Sequence, residues 1–414
     1  MGEQRTMANY DFIELEKQYE SFDYPMAVIK VNDKEISTKK RSFILSDIIV
    51  DLTSGYEAST AEFSILDVYD MSQACFQFED VKKFIFLGSK VDIYLGYSGS
   101  VTAVFKGVIT RVNFLFEKED VPCIRVTAMD VKGIMMAGNY SKQLTAQTYS
   151  DAVNEILNKT AYEKLKSAEI ITGIQVDDTP DKQRNPSSPS GGAGGGGADQ
   201  GQVTDKSIEM VAESDYEFVV KIARRTNFEF FTRCGNVYFR KAKSDDTVIM
   251  QIGPDTGMTY FDVSYDLTGL VEKVIVRGMD VAKAQVISAE KKFSNKISQG
   301  NKAKPLLSGS QKVYIDSTVS SKEEAEDRAG SLMETMSYRY GKLECGMIGI
   351  PELQPGYFLE LSGLGEGADN KFYINRVRHV LSKDGYYETR LEGQAASAGE
   401  KDNAGGGAGA GGLF

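Results

Sequence analysis

The sequence is poor in the residues from which metal centres and acid–base sites are usually built. It contains a single histidine, His379, and four cysteines, Cys75, Cys123, Cys234 and Cys345. No two cysteines have the C-x-x-C spacing, so a zinc or iron–sulfur site lacks ligands at the usual intervals. Isolated cysteines of this kind are typical of small apolar side chains in a reducing compartment. We therefore predict no metal site and no cofactor.

The chain also lacks an excess of positive charge and long apolar runs. It contains 48 Lys and Arg residues and 59 Asp and Glu residues, which give a net charge of −11. A general nucleic-acid binder needs a basic surface, so we expect no nucleic-acid specificity. The start, MGEQRTMANYDFIELEKQYE, has no apolar segment after a basic one, and no apolar run of about 18 residues follows. We expect synthesis in the cytoplasm without a signal peptide, and no membrane insertion.

Short β-strands dominate what is present. Across the 414 residues, 41% are hydrophobic, with 21 Tyr and 21 Phe, enough for roughly two to four folded domains. In SDIIVDLT the apolar residues alternate with acidic ones, and in AVFKGVITRVNFLFE residues Val104, Val108, Val112, Phe114 and Phe116 are in phase. Five or more such strands between residues 26 and 130, separated by Gly, Asn and Asp turns, predict an antiparallel sandwich or small barrel.

Helical periodicity and capping signals interrupt the strands at three places. Thr148 or Ser150 begins the first helix, Ser214 and Glu217 form a capping box for the second, and Ser321 begins a third that Gly341 ends. After the second helix, FEFFTR and VYFRKA form a hairpin around Cys234, Gly235 and Asn236. The segment NPSSPSGGAGGGGADQGQ, residues 185–202, is a flexible linker by composition.

These patterns predict a mainly β fold with α+β inserts: two similar antiparallel β-barrel domains, a small α/β domain and linking helices. The predicted units are an N-terminal arm (1–24), a first barrel (25–137), a helix with a Gly/Ser-rich loop (138–205), the α/β domain (206–256), a second barrel (257–395) containing helix 321–340, and a disordered Gly-rich tail (396–414). A lysine-rich stretch, 283–312, is predicted to be a solvated loop; the alternative is a contact surface for an acidic partner. The terminal Leu413-Phe414 is either frayed or a hook for a partner.

The second barrel repeats the first. ITRV at 109–112 matches INRV at 374–377. In both copies an arginine follows the isoleucine at the same interval, Arg125 after Ile109 and Arg390 after Ile374. Each long strand also follows a shorter strand and a glycine turn. The shared register favours duplication over chance.

The segment GLGEG beside His379 presents two alternatives, a phosphate cradle with a catalytic base or a turn between two strands. The repeat aligns His379 with Phe114, with Val377 and Leu381 on its own strand face. The glycines lie between two predicted strands, whereas a phosphate cradle needs a strand followed by a helix. No G-x-S-x-G or H-E-x-x-H motif supplies catalytic partners. We therefore predict a structural histidine and no catalytic residues.

The order of these segments resembles the phage late control protein D family, the baseplate hub proteins of contractile tails, similar to the N-terminal part of the type VI secretion valine-glycine-repeat spike proteins. The resemblance covers about residues 25–395 and rests chiefly on SDYEFVVKIA followed by an aromatic strand, and on LQPGYFLEL, YINRVRH and YYETRLEG in sequence. No oligosaccharide-fold domain, needle repeat or lysozyme-like segment follows in this sequence. The spike is therefore expected to be a separate protein.

The resemblance implies a non-enzymatic homotrimer in which six similar barrels form a ring between a sixfold inner tube and a trimeric spike. Its implied partners are the spike, the tube or a tube-initiator protein, and other baseplate or wedge proteins, within a phage-tail-like particle. Two other functions stay open. One is a cell-wall hydrolase whose carboxylates are not recognisable by spacing, and the other is a β-rich glycan- or receptor-binding module, which would need exposed aromatic side chains.

Overall fold

A computed structural model describes residues 10–36, 43–79, 81–118, 120–180, 207–280, 284–295, 303–365 and 367–399. The predicted Gly-rich linker 185–202 and residues 400–414 of the predicted disordered tail 396–414 lie outside these ranges; residues 396–399 are described, and Ala398 is buried in an apolar core. The described chain is mostly β, in several largely antiparallel sheets with short helices between them, which confirms the predicted fold class. The residue boundaries of the domains stay a prediction.

The first third of the chain forms a curved antiparallel sheet. Helix α1 (Phe12–Gln18) begins at Asp11, whose carboxylate accepts bonds from the Ile13 and Glu14 amides, and a short 3-10 turn follows at Glu20–Phe22. The strands are β1 (Pro25–Val31), β2 (Lys34–Ile36), β3 (Ile44–Thr53), β4 (Thr60–Leu66), β5 (Tyr69–Asp70), β6 (Cys75–Phe76), β7 (Lys90–Tyr97), β8 (Ser100–Leu115) and β9 (Cys123–Met129).

A smaller α/β unit occupies the middle of the chain. Its elements are α2 (Val131–Met135), β10 (Tyr140–Gln143), α3 (Tyr149–Leu157), α4 (Glu163–Ser167), β11 (Gly173–Val176), β12 (Glu209–Glu213), α5 (Asp215–Thr226), β13 (Phe228–Arg233) and β14 (Asn236–Lys241), with a 3-10 turn at Thr160–Tyr162. Thr148 is the N-cap of α3. Ser214 and Glu217 form the predicted capping box of α5, which ends at Asn227 in the left-handed conformation.

The last third contains a second curved sheet with an insertion. Its elements are β15 (Val248–Ile252), β16 (Met258–Tyr265), β17 (Lys273–Asp280), β18 (Gln285–Lys292), α6 (Ala303–Leu306), β19 (Gln311–Ile315), α7 (Lys322–Ser337), β20 (Gly341–Ile348), β21 (Phe358–Leu361), β22 (Asn370–Leu381) and β23 (Tyr387–Ala395). Helix α7 covers the separate sheet β18-β17-β19 through Ala325, Ala329 and Met333.

The two curved sheets have the same strand order. The first third contains β3-β4-β9-β8-β7 and the last third contains β16-β20-β23-β22-β21, where each strand is written next to the strands with which it pairs. We call these two sets the first and second β modules. They are fused, because β22 pairs with β3 and makes one 13-stranded sheet over one shared apolar core. The sequence predicted two similar barrels, but none of its local patterns indicated this fusion.

The register of the strand pairs reproduces the sequence repeat. In β8 and β9, Ile109 lies opposite Ala128 and Arg111 opposite Thr127, so the strand carries one extra residue between them. In β22 and β23, Ile374 lies opposite Gly393 and Arg376 opposite Glu392, with the same extra residue. A β-bulge bends a strand locally. Both modules therefore bend their longest strand at the same place, as expected from duplication.

Some local expectations were wrong. Phe114 and Phe116 do not continue the buried face of β8, because bulges at Val104 and Thr110 change which residues face the core; the two rings are 48% and 56% exposed. The lysine-rich stretch 283–312 is not simply a loop, since it contains β18 and α6. Helix α7 ends at Ser337, before Gly341, which instead begins β20.

Candidate functional site

The GLGEG segment joins two antiparallel strands. It follows β21 and precedes β22, which pair from Phe358–Tyr373 to Leu361–Asn370. Gly363, Gly365 and Gly367 all have positive φ, between 78° and 102°, a conformation that glycine adopts without a steric penalty. No helix begins after this turn, so the backbone lacks the helix N-terminus that a phosphate cradle uses. The segment is a hairpin.

His379 lies in β22 and is buried with both ring nitrogens paired. Its Nε2 lies 3.2 Å from the carbonyl oxygen of Leu353, so Nε2 carries the proton and donates. Its Nδ1 then accepts from the hydroxyl of Tyr387, at 3.0 Å, and lies 3.1 Å from the hydroxyl oxygen of Thr389. Burial lowers the pKa of His379 to about 4, so the ring is neutral at pH 7. The fold therefore encloses this histidine, and its structural role stays a prediction.

The surroundings of His379 superficially resemble a catalytic cluster. Tyr19 donates to Glu352 at 2.5 Å, Thr102 donates to the same oxygen at 3.2 Å, and Tyr97 donates to the Gly349 carbonyl at 2.8 Å. Burial is the main cause that raises the pKa of Glu352. However, Tyr19, Tyr97 and Glu352 are all buried, and Glu352 Oε2 has no hydrogen-bond partner among the described residues. The cluster fastens the segment around Tyr19 to both β modules.

A second buried ionisable group, Lys132, is also satisfied by the fold. Its Nζ donates to the carbonyl oxygens of Gly55 and Glu57 in the first module and of Phe230 in β13. Asp130 lies 3.9 Å away. Burial lowers the pKa of Lys132, but its donors are taken up by backbone acceptors. The lysine therefore joins the first module to the α/β unit and offers no free amine for chemistry.

The cysteines are not brought together. All four are free thiols, and burial raises the pKa of Cys123, Cys234 and Cys345, which makes those thiols less reactive. In the described ranges, no three His, Cys, Asp or Glu side chains are grouped as metal ligands. The longest helix described, α7, has 16 residues, and none in those ranges has the length and hydropathy to span a bilayer.

The most distinctive structural feature is the joint between the modules. In this joint β22 and β3 pair in antiparallel register, from Arg376 opposite Thr53 to Leu381 opposite Ile48. Arg376 binds the Asp51 carboxylate through two bonds of 2.7 and 2.8 Å, and the partners Val50 and His379 are completely buried. Sequence periodicity could not find this joint, because it pairs a strand from the first third of the chain with one from the last third.

The fold is shared with solved tail proteins. A tail protein from Neisseria meningitidis MC58 is similar with a TM-score of 0.59 and 12% identity, over 90% of this chain and 96% of that one. The 43 kDa tail protein of prophage MuSo2 from Shewanella oneidensis gives 0.59 and 12%, over 89% and 98%. The E. coli c3393 protein, a type VI secretion component, gives 0.50 and 11%, over 88% and 76%.

Among curated proteins, none matches the sequence. The family described as the Alg8 N-terminal domain matches residues 22–176 and 198–383, which is most of the chain. The resemblance to the late control protein D family is supported at the coarser level of fold, since the similar structures include phage tail and type VI secretion proteins. This chain belongs to the Alg8 N-terminal domain family and has the fold of phage tail proteins.

Proposed function

We propose that the protein is a structural baseplate hub of a contractile injection particle. Three copies form a ring of six similar β modules, which docks on a sixfold inner tube at one face and on a trimeric spike at the other. The observation that carries the proposal is the pair of modules with one strand order, one bulge position and an edge-to-edge joint. A chain built this way presents two nearly identical units, so three chains present six. An adaptor between threefold and sixfold symmetry requires this arrangement.

The similar structures add support at the level of fold. They include phage tail proteins and a Francisella complex of VgrG with PdpA, whose TM-score is 0.50 at 10% identity. The partners we propose are therefore a spike, a tube or tube-initiator protein, and other baseplate proteins. We also propose that the hub is not an enzyme, because its one histidine and its buried carboxylate Glu352 are enclosed and hydrogen-bonded.

Light scattering coupled to size-exclusion chromatography tests the assembly. Purified alone, the protein is expected at three times the chain mass; with a trimeric spike protein it is expected at the mass of three chains plus one spike trimer. A chain that remains monomeric in both samples would contradict the proposal. Cell-wall zymography tests the hydrolase alternative: we expect no clearing by the purified chain, and clearing that is lost on substitution of an exposed carboxylate would establish an enzyme instead.

A further inference from the structure

Within the described residues, the outer edge of β16 and one edge of the outer half of β8 in the 13-stranded sheet have no partner strand. The outer half of β8, Arg111–Leu115, pairs with β9 on one side, but β7 reaches only as far as Val108 on the other. Strand β16 is the last strand of the 13-stranded sheet and pairs only with β20. No backbone hydrogen bond reaches either outer edge from the rest of the described residues. Long unpaired edges are rarely left open in nature.

The internal repeat shows which strands of the joint between the modules are equivalent to these two open edges. The outer half of β8 is equivalent to the half of β22 that pairs with β3 in the joint, since Phe114 aligns with His379. Strand β16 is equivalent to β3: Val50 lies opposite Ala61 of β4, and Val263 lies opposite Leu343 of β20, at matching places in the two modules. The two open edges are therefore the two halves of a second joint.

We propose that β16 of one copy pairs in antiparallel register with the outer half of β8 of the next copy, as β3 pairs with β22 within one chain. This inference rests on the proposed ring and names its subunit interface. Transfer of the internal register places Phe114 opposite Val263 of the neighbouring copy, Asn113 opposite Ser264 and Arg111 opposite Asp266. Each chain then uses one edge toward each neighbour, a head-to-tail contact that closes into a ring of three when successive copies are related by a threefold rotation.

Exposure of the side chains agrees with a missing partner. His379 and Val50 are completely buried at the internal joint, whereas the equivalent Phe114 is half exposed and Val263 only partly buried. Phe116 in the proposed interface is 56% exposed and Phe261 of the facing strand is 44% exposed. The rings of Phe76 and Phe78 pack on the Phe114 ring with centroids 5.3 and 5.0 Å away, and no backbone group of the described residues bonds to the outer edge of β8 beside it. Association would bury these aromatics.

The charged residues also agree with a missing partner strand. The internal joint contains the Arg376–Asp51 pair, and Arg376 is equivalent to Arg111. Arg111 is exposed and has no ion-pair partner among the described residues. In the transferred register it lies opposite Asp266 of the next copy. The second joint therefore also places an arginine beside a carboxylate, although Ser264, and not an acidic residue, is equivalent to Asp51.

Cysteine cross-linking tests the register. In a Cys75→Ser background, Asn113→Cys with Ser264→Cys places the two thiols directly opposite each other, within the roughly 4–6 Å that facing strand positions allow. Mild oxidation is expected to give a covalent trimer on a non-reducing gel, with linked peptides that contain positions 113 and 264. The matched control, Asn113→Cys with Tyr260→Cys, moves one thiol about 14 Å along the strand and should not cross-link.

The outcomes separate this inference from the proposed function. A trimer by light scattering that gives no linked peptides, or equal linkage in the control, overturns the register while the hub proposal stands. A monomer overturns both. If the cysteine variants misfold, hydrogen exchange of the wild-type protein decides: amides of residues 111–115 and 258–265 should exchange at least tenfold more slowly in the trimer than after dilution to monomer. Equal exchange rates contradict the interface.

Discussion

His379 and Phe114 occupy the same position in the two β modules but have opposite surroundings. The strand β3 lies beside His379, so its ring is enclosed and needs hydrogen-bond partners, which Leu353, Tyr387 and Thr389 supply. The open edge beside Phe114 leaves that ring half exposed. The difference in residue type follows the difference in surroundings, because a buried imidazole is tolerated only when both nitrogens are paired.

Replacing His379 should reduce the acid sensitivity of the fold. The pKa of His379 is about 4 in the folded chain against an ordinary 6.5, so the unfolded state binds the proton first as pH falls. Stability from the neutral ring is complete above pH 6.5 and lost between pH 6.5 and 4, by about 3 kcal/mol. In His379→Gln, whose amide can also donate to Leu353, this part of the pH dependence should disappear.

Urea unfolding at several pH values, followed by circular dichroism, measures this effect. Glu352, whose raised pKa acts in the opposite direction, is present in both proteins and cancels in the comparison. Arg378→Gln on the same strand is the control, because Arg378 is exposed and should leave the pH profile unchanged. An unchanged profile in His379→Gln would mean that the imidazole titrates normally in the folded chain.

The joint between strands β22 and β3 holds the two β modules in a fixed orientation. Its backbone ladder and buried Val50 and Leu52 supply most of the contact, and Arg376 with Asp51 adds a two-bond ion pair at the rim. Bidentate arginine–carboxylate pairs are stronger than single contacts because the fork geometry matches both oxygens. The pair therefore favours the observed register of β3 and β22 over registers that are shifted along the strands.

A double-mutant cycle should measure this pair. We expect Asp51→Asn and Arg376→Gln to show a coupling energy of about 1 kcal/mol, at the upper end for partly exposed pairs because two bonds form together. The control is Arg125 with Glu62, which make one contact of 3.4 Å across β9 and β4 and are both more exposed as a pair. Its coupling should stay below about 0.5 kcal/mol. Equal coupling in both cycles would contradict the proposed advantage of the bidentate contact.

The stability of the whole molecule depends on three apolar cores. One fills both β modules, one fills the α/β unit, and one lies between α7 and its sheet. Lys132 connects the first two, since its ammonium binds carbonyl groups on each side. Removal of such a group leaves buried acceptors unpaired, and each unpaired acceptor is costly.

Lys132→Met should therefore lower the free energy of unfolding by about 2–4 kcal/mol, although methionine matches the length of the apolar stem. Because the chain contains no tryptophan, tyrosine fluorescence and circular dichroism are the suitable probes of urea unfolding. The matched control is Lys142→Met, on the exposed strand β10. Its effect on stability should be below about 0.5 kcal/mol, as for most surface substitutions. A stable Lys132→Met protein would show that the carbonyls find other donors.

Local patterns predicted much of the secondary structure because they depend on near neighbours. Alternation located β3 and β7, and the capping residues Ser214, Glu217 and Ser321 located the starts of two helices. The predictions failed where a single extra residue altered the face of a strand, as at Thr110. They also failed in the lysine-rich stretch, because β18 is an edge strand with polar residues on its solvent side.

The sequence was sufficient to predict that the chain is mainly β, that its long strand around Ile109 is duplicated around Ile374, and that its lone histidine is structural. Those properties follow from periodicity, spacing and residue counts. The tertiary structure was needed to show that β22 joins β3, that Lys132 and Glu352 are buried, with Glu352 bonded through one carboxylate oxygen, and that β8 and β16 have open edges within the described residues. Pairing between strands that are distant in the chain is set by the packing of whole sheets, which no local pattern encodes.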